Sequence, residues 1–284
     1  NLEKCIFHYY FPFATANSVG IYELCKMAKK KYTVLLSGEG ADELFFGYDR
    51  YFRYVLISYF INIIPSKKLQ LKFVKYNILK NTNYYFIKKL INNNIINIAS
   101  TIDVNAIIND RISFFFNNNL RFIENFQIYE IRTHLHELLL RQDKMSMASS
   151  VENRVPFLSN NILDYALSLD LRFKMLFTIF KSMRTKLSKI VLKNFALKLF
   201  KREFVLRKKN GFSIPLHKYL QSNNILKEFT NNNLDKTDFK LNNFDKIYNF
   251  INSKNTLSRV ESKNYFKIVT ILIWLKQINK KINK

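Results

Sequence analysis

The stretch TVLLSGEGADELFFGYDRY, from Thr33 to Tyr51, limits what this chain can fold into more than any other segment. A β-branched and apolar run stops at Ser37, two glycines bracket Glu39, and two carboxylates, Asp42 and Glu43, precede an aromatic helical pattern. Upstream, Val19, Ile21, Tyr22, Leu24, Cys25 and Ala28 recur at helical spacing between Ser18 and Lys31, and the closing lysines suit the negative end of a helix dipole. A helix leading into a fully apolar strand is what a parallel, helix-covered sheet produces. The order therefore predicts a helix, a buried strand over residues 33–36, a glycine loop and a second helix.

Beyond Tyr51 the apolar periodicity is helical almost throughout, at residues 128–147, 161–169, 185–200 and 265–278. Pro156 and Pro215 mark breaks, because the residue before a proline is pushed out of the α region. Asn-rich stretches at 81–125 and 223–255 read as loops or insertions, and no internal repeat is present. The expected fold class is α/β in a single domain over residues 1–284. Residues 1–55 would carry the sheet and its crevice, and 56–284 would be mainly helical.

The 284 residues are 48% hydrophobic, enough for an ordinary core. Lys and Arg exceed Asp and Glu by 46 to 21, a net charge of +25, which raises nucleic acid as a partner. Lys, Asn, Ile, Phe and Tyr are used heavily everywhere, however, so a compositional bias explains the charge better than a selected basic patch. Cys5 and Cys25 have neither C-x-x-C spacing nor a histidine at ligand distance, which argues against a zinc site or a disulfide framework. The most apolar windows, Val55 to Ile64 and Ile268 to Leu275, fall far short of the ~20 residues of a membrane span. NLEKCIFHYY lacks the uninterrupted apolar region of a secretory signal. The expectation is a cytoplasmic protein with no membrane partner.

Three segments can carry chemistry. Ligands bind beyond the carboxyl ends of parallel strands, where Gly38 and Gly40 would let a nucleotide approach the main chain without meeting a Cβ. Asp42 beside a triphosphate makes sense only with a hard cation such as Mg²⁺ between them, and Glu39 can orient an amine or take its proton. The structural alternative is that both carboxylates complement a helix N-terminus while the glycines make a turn. In RQDKMSMASSVENRVPFL, Arg154 either pairs with Glu152 or faces an anionic ligand, and VPF reads as an extended pocket lining. In SKIVLK, Lys189 on the inner side of a helix would stabilise a leaving pyrophosphate, although spacing alone does not separate it from a surface lysine. The four histidines form no metal-ligand spacing.

Taken in order, SGEGADELFFGYDRY, RQDKMSMASSVENRVPFL, SKIVLK, RKKNGFSIP and a terminal helix with Trp274 resemble the synthetase domain of the glutamine-dependent asparagine synthetases. The resemblance runs from about Phe11 to Leu275. It implies the remnant of an adenine-nucleotide-binding, PP-loop ATP pyrophosphatase core. It also implies a reaction in which ATP adenylates a side-chain carboxylate, that of aspartate, and glutamine-derived ammonia displaces AMP. Carried over, Ser37 and Gly38 would contact the nucleotide, Glu39 would support acyl-adenylate formation and ammonia attack, Asp42 would bind Mg²⁺, and Lys189 would stabilise pyrophosphate. Arg154, Pro156 and Phe157 resemble the family's segment near the adenylate.

Departures from the family pattern accompany the match. The phosphate-grasping loop of a serine, two glycines and an aspartate-serine pair is absent and would lie upstream of Asn1, as would the glutaminase domain that begins with a catalytic cysteine. The chain alone is thus expected to be inactive, either a fragment or one half of a split enzyme, with a homodimer conceivable for the full-length form. Phe46 stands where many members have glycine. Competing readings keep the chemistry but change the acceptor to a sugar acid or a lactam precursor, or reduce the chain to a basic binding module or a non-catalytic scaffold.

Overall fold

The structure, a computed structural model, describes residues 1–79, 106, 109–110, 112, 120–184, 186–207, 211–212, 214–218 and 258–282. The second Asn-rich stretch lies outside these residues, as does most of the first, which becomes helical from Phe122. Most of the described chain is helical, around a two-stranded parallel sheet.

The amino-terminal part runs α1 (Leu2–Tyr9), α2 (Asn17–Ala28), β1 (Val34–Leu36) and a four-residue α3 (Ala41–Leu44). The helix–strand–loop–helix order anticipated from Ser18 onward is therefore present. Aromatic residues of α4 (Asp49–Phe60) lead through a 3₁₀ turn to α5 (Lys67–Leu79). The long periodic run at 128–147 is part of one rod made of α6 (Phe122–Glu130), a π-helical segment (Ile131–Leu135) and α7 (His136–Met147). β2 (Glu152–Arg154) then pairs with β1 in parallel, with Val34 opposite Glu152 and Leu36 opposite Arg154.

Three expectations are corrected here. β1 is not buried: Val34 and Leu36 are 38% and 72% exposed, because among the described residues β1 has a hydrogen-bonded partner on one edge alone and no helix over that face. VPF is not extended throughout, since Pro156 fixes its own φ and opens a 3₁₀ turn over Pro156–Leu158. The helix expected at 185–200 is shorter. Met175 forms an isolated antiparallel bridge with Ser188, and the helix runs from Ile190 to Ala196. Before it come α8 (Asn160–Ser168), α9 (Leu171–Lys174) and α10 (Lys181–Arg184), so the helix from Ile190 is α11; α12 (Arg202–Val205) and α13 (Arg259–Ile282) follow it.

Among the described residues, burial divides the apolar side chains into three cores. In the first, Ile6, Tyr9, Ile21, Tyr22 and Met145 pack against Tyr265, Phe266, Val269 and Leu272 of the terminal helix. The second is aromatic, with Phe46 stacked on Tyr51 (4.2 Å between centroids) and Tyr54 on Phe126 (4.1 Å). Offset aromatic pairs of this kind add about 0.5–1.5 kcal/mol beyond their buried area. The third is small: Leu44, Phe45 and Ala166, with Leu158, Val191 and Leu192 against them. The second and third cores meet just after α3, where Phe45 belongs to the third and Phe46 to the second.

Candidate functional site

The glycine loop leaves β1 at Ser37, whose backbone N–H donates to the Arg154 carbonyl (2.9 Å) and whose hydroxyl accepts from Asn153 Nδ2 (3.2 Å). Gly38 is exposed, and a Cβ there would meet no atom within 4 Å, so its main chain is open on that side. Gly40 differs. Its φ of +89° lies in the left-handed region, and a Cβ would meet Leu158 Cδ2 at 2.4 Å. Gly40 thus serves the turn and close packing, leaving Gly38 as the glycine with open backbone.

α3 brings Asp42 forward. Its Oδ1 lies 2.9 Å from Lys189 Nζ, with both side chains between a fifth and a quarter exposed. The pair passes over Gly47, where a Cβ would meet Asp42 Oδ1 at 1.8 Å and Lys189 Cε at 2.2 Å. Lys189 does not lie on a helix face as expected. It is the residue before α11, held at φ 53° in the left-handed region, and its backbone N–H donates to the Phe45 carbonyl (3.2 Å). That backbone setting points the side chain back towards α3 and so produces the pair. Arg154 takes the structural option, its Nε 2.7 Å from Glu152 Oε1, with the arginine side chain 64% exposed. Glu39 is half-buried beside Gly38.

Behind Asp42 is a layer of which Glu43 alone stood out in the sequence. Glu43 is fully buried, accepts from Tyr48 Oη (2.7 Å), and burial, the largest cause, raises its pKa above the usual carboxylate range. Burial and the neighbouring Glu43 likewise hold the Tyr48 phenol in its neutral form. The Arg50 guanidinium lies over the Tyr48 ring at 4.0 Å and makes a two-pronged pair with Glu130 (2.7 and 2.6 Å), which also accepts from Tyr54 Oη (3.0 Å). His134, in the π-helical segment, meets Tyr48 edge-on at 5.5 Å. Burial first, then the positive charges of Arg50 and Arg141, push its pKa down to about 4, so it is neutral near pH 7. Gly47, Tyr48 and Arg50 stood in the FFGYDRY run, but their partners Glu130 and His134 are some 80 residues away and share no spacing rule with them.

Among the described residues no group of three or more His, Cys, Asp or Glu side chains is placed to hold a metal ion. Mg²⁺ commonly keeps several waters and takes one or two carboxylates plus substrate phosphates, and Asp42 beside the open Gly38 backbone fits that pattern. Cys5 and Cys25 are buried free thiols, and burial pushes Cys5 up to about 11, which makes it inert. No helix among the described residues is long and apolar enough to cross a membrane.

A glycine loop at the carboxyl end of a parallel strand, followed at once by an acidic helix paired to a lysine, defines a mostly helical α/β protein with a candidate anion and cation site. The chain belongs to the asparagine synthase family, whose model matches residues 1–276. It is similar to asparagine synthetase [glutamine-hydrolyzing] 1 of Bacillus subtilis (strain 168), at 28% identity over 240 residues. That match covers 78% of this chain and 37% of the relative, so the chain spans little more than a third of the length of the curated relative it matches.

Proposed function

We propose that this chain is the carboxyl-terminal part of an ATP-dependent amide ligase, with a PP-loop ATP pyrophosphatase core completed by polypeptide outside residues 1–284. The observation that carries the reading is the Asp42–Lys189 pair beside the open backbone of Gly38, in a chain of the asparagine synthase family. The strand edge of β1 left open, with Leu36 exposed beside it, fits a core that continues beyond the described residues.

In the proposed reaction a carboxylate oxygen of the substrate, taken to be aspartate, attacks the α-phosphorus of ATP, and the bond to pyrophosphate breaks. Ammonia, released from glutamine by a glutaminase domain outside this chain, then attacks the acyl carbon. AMP leaves, the nitrogen gives up a proton, and asparagine forms. Ser37 and Gly38 contact the nucleotide, while Lys189 carries part of the charge that develops on departing pyrophosphate. Glu39, on the loop beside that backbone, orients the amine and accepts its proton. Asp42 would hold Mg²⁺, which supplies neutralisation of phosphate charge. Arg154, tied to Glu152 on the surface, is given a looser part at the rim of the adenylate pocket.

ATP–pyrophosphate exchange in the native full-length polypeptide tests the substrate. Exchange should depend on aspartate; exchange with uronic acids and none with aspartate would replace the asparagine reading with that of a sugar-acid amidotransferase.

A further inference from the structure

Lys174 ends α9 in a setting that an ammonium rarely occupies. It is 3% exposed, and among the described residues no carboxylate lies within salt-bridge distance of it. Its hydrogen bond goes to a neutral acceptor, Gln127 Oε1, at 2.8 Å, and its Nζ lies 5.3 Å from the centroid of the Phe46 ring. Burying a charge without a directly paired counter-charge is costly, and well-packed apolar residues commonly replace buried ionic groups at no loss of stability. An ammonium kept here needs another explanation.

Gln127 supplies it. An ammonium can donate but not accept, so Lys174 fixes which end of the amide faces it: the oxygen turns to Lys174 and the NH₂ turns away. That NH₂ donates to the carbonyls of Leu44 (2.8 Å) and Glu43 (3.3 Å) at the end of α3. Without the ammonium, Oε1 loses the donor that holds it, and the amide orientation rests on those two carbonyls alone. The next residue of the chain after α3 is Phe45, whose carbonyl receives the Lys189 N–H. Phe46 follows in the left-handed region at φ 57°, its ring between Tyr51 and Lys174. Lys174 also reaches Lys189 from the other side, because Met175 bridges to Ser188 and Leu176 N–H donates to the Leu187 carbonyl (2.9 Å).

We propose that Lys174 is a positioning residue of the nucleotide site: by orienting the Gln127 amide it locks the turn after α3 that sets Asp42 against Lys189. The inference takes the candidate site as its context but concerns the turn itself, so it can fail separately from the ligase reading. The charges facing Lys174 are Glu124 and Arg121, which are hydrogen-bonded to each other, and Asp170, which caps α9. Burial pulls the Lys174 ammonium down to about 8, so its proton is lost in a mildly alkaline range.

The test compares wild type, Lys174→Met and Gln127→Glu in the native full-length polypeptide. Gln127→Glu keeps a partner for the ammonium, and with it the packing, while losing the NH₂ that donates to the carbonyls. Backbone hydrogen exchange over residues 41–47 should speed by about tenfold or more in both variants, with exchange in α13 unchanged, as for a local opening. Where the wild type catalyses ATP–pyrophosphate exchange, its kcat should fall as pH rises through about 8. Lys174→Met should lower kcat by about 10²-fold, the scale of an ångström-sized misplacement, with a far smaller change in KM for ATP and no alkaline limb of its own. Wild-type protection of residues 41–47 in both variants would overturn the inference whether or not the polypeptide is active. A wild type with no exchange activity but with the predicted loss of protection in the variants would contradict the ligase reading and leave the positioning role standing.

Discussion

Lys189 Nζ stands 2.9 Å from Asp42 Oδ1 across the bare Cα of Gly47. The two residues are 147 positions apart in the sequence, and one comes from the short helix α3 and the other from a left-handed cap. Both remain partly open to solvent, as a pair meant to meet a ligand must be.

That exposure separates stability from activity. A largely buried pair lies between an exposed one, worth about 0–1 kcal/mol, and a fully buried one, so Lys189→Met should lower the thermal midpoint modestly. Loss of its charge from a developing pyrophosphate should nevertheless lower amide formation by about 10²–10³-fold, the scale seen for one electrostatic contact to a transition state. Parallel melting and steady-state rates on the native full-length polypeptide check both halves. Near-normal turnover in Lys189→Met would remove Lys189 from the site.

Gly47→Ala and Gly40→Ala should fail differently. At Gly47 the new methyl strikes Asp42 and Lys189, so the pair must separate and activity should be lost with modest destabilisation. At Gly40 the methyl meets Leu158 from a backbone at φ +89°, and the left-handed strain alone costs about 1–2 kcal/mol. Urea unfolding should rank Gly40→Ala as the less stable variant. Equal midpoints would contradict both the strain at φ +89° and the clash with Leu158.

Arg50 and Glu130 are a buried pair, with side chains 21% and 4% exposed. Arg50→Met leaves the Glu130 carboxylate with Tyr54 as its remaining hydrogen-bond donor and should cost about 3–5 kcal/mol, whereas replacing both residues by apolar ones should recover much of that loss. Denaturant midpoints for the two singles and the double decide whether the pair behaves as a unit.

His134 makes the fold acid-sensitive. Its pKa is about 4 when folded against an ordinary value of 6.5, so the unfolded chain takes up the proton first. Stability from this group is complete above 6.5 and is lost as pH falls towards 4. His134→Phe keeps an aromatic edge for Tyr48 and should flatten the stability profile across that window relative to wild type. Identical slopes in the two proteins would show that another group carries the effect.

The local order of helix, strand, glycine loop and helix was legible because each step has a short-range cause: apolar period, β-branched run, paired glycines. Asp42 and Glu39 could be singled out for the same reason, since carboxylates beside bare backbone are unusual, and their roles are those proposed above. The position of Lys189 was not, because a left-handed non-glycine residue leaves no mark in the spacing of SKIVLK. Phe46 shows the same limit. It takes up φ 57° and turns its ring into the aromatic core, where it is 2% exposed, away from the exposed loop. Burial of β1 was misjudged because an apolar strand reads as covered whether or not its neighbours lie within the same stretch of chain. The buried layer of Glu43, Tyr48, Arg50, Glu130 and His134 depends on the π-helical segment, which shifts side-chain register within an otherwise regular periodic run.

The most direct test of the central claim follows one oxygen atom. Incubating the native full-length polypeptide with ATP, glutamine and aspartate labelled with ¹⁸O in its side-chain carboxylate, then weighing the nucleotide product, reads the adenylation step itself. The account predicts AMP carrying a single heavy oxygen from the substrate, together with unlabelled pyrophosphate. Heavy oxygen in inorganic phosphate alongside ADP, or asparagine formed with unlabelled AMP, would contradict it.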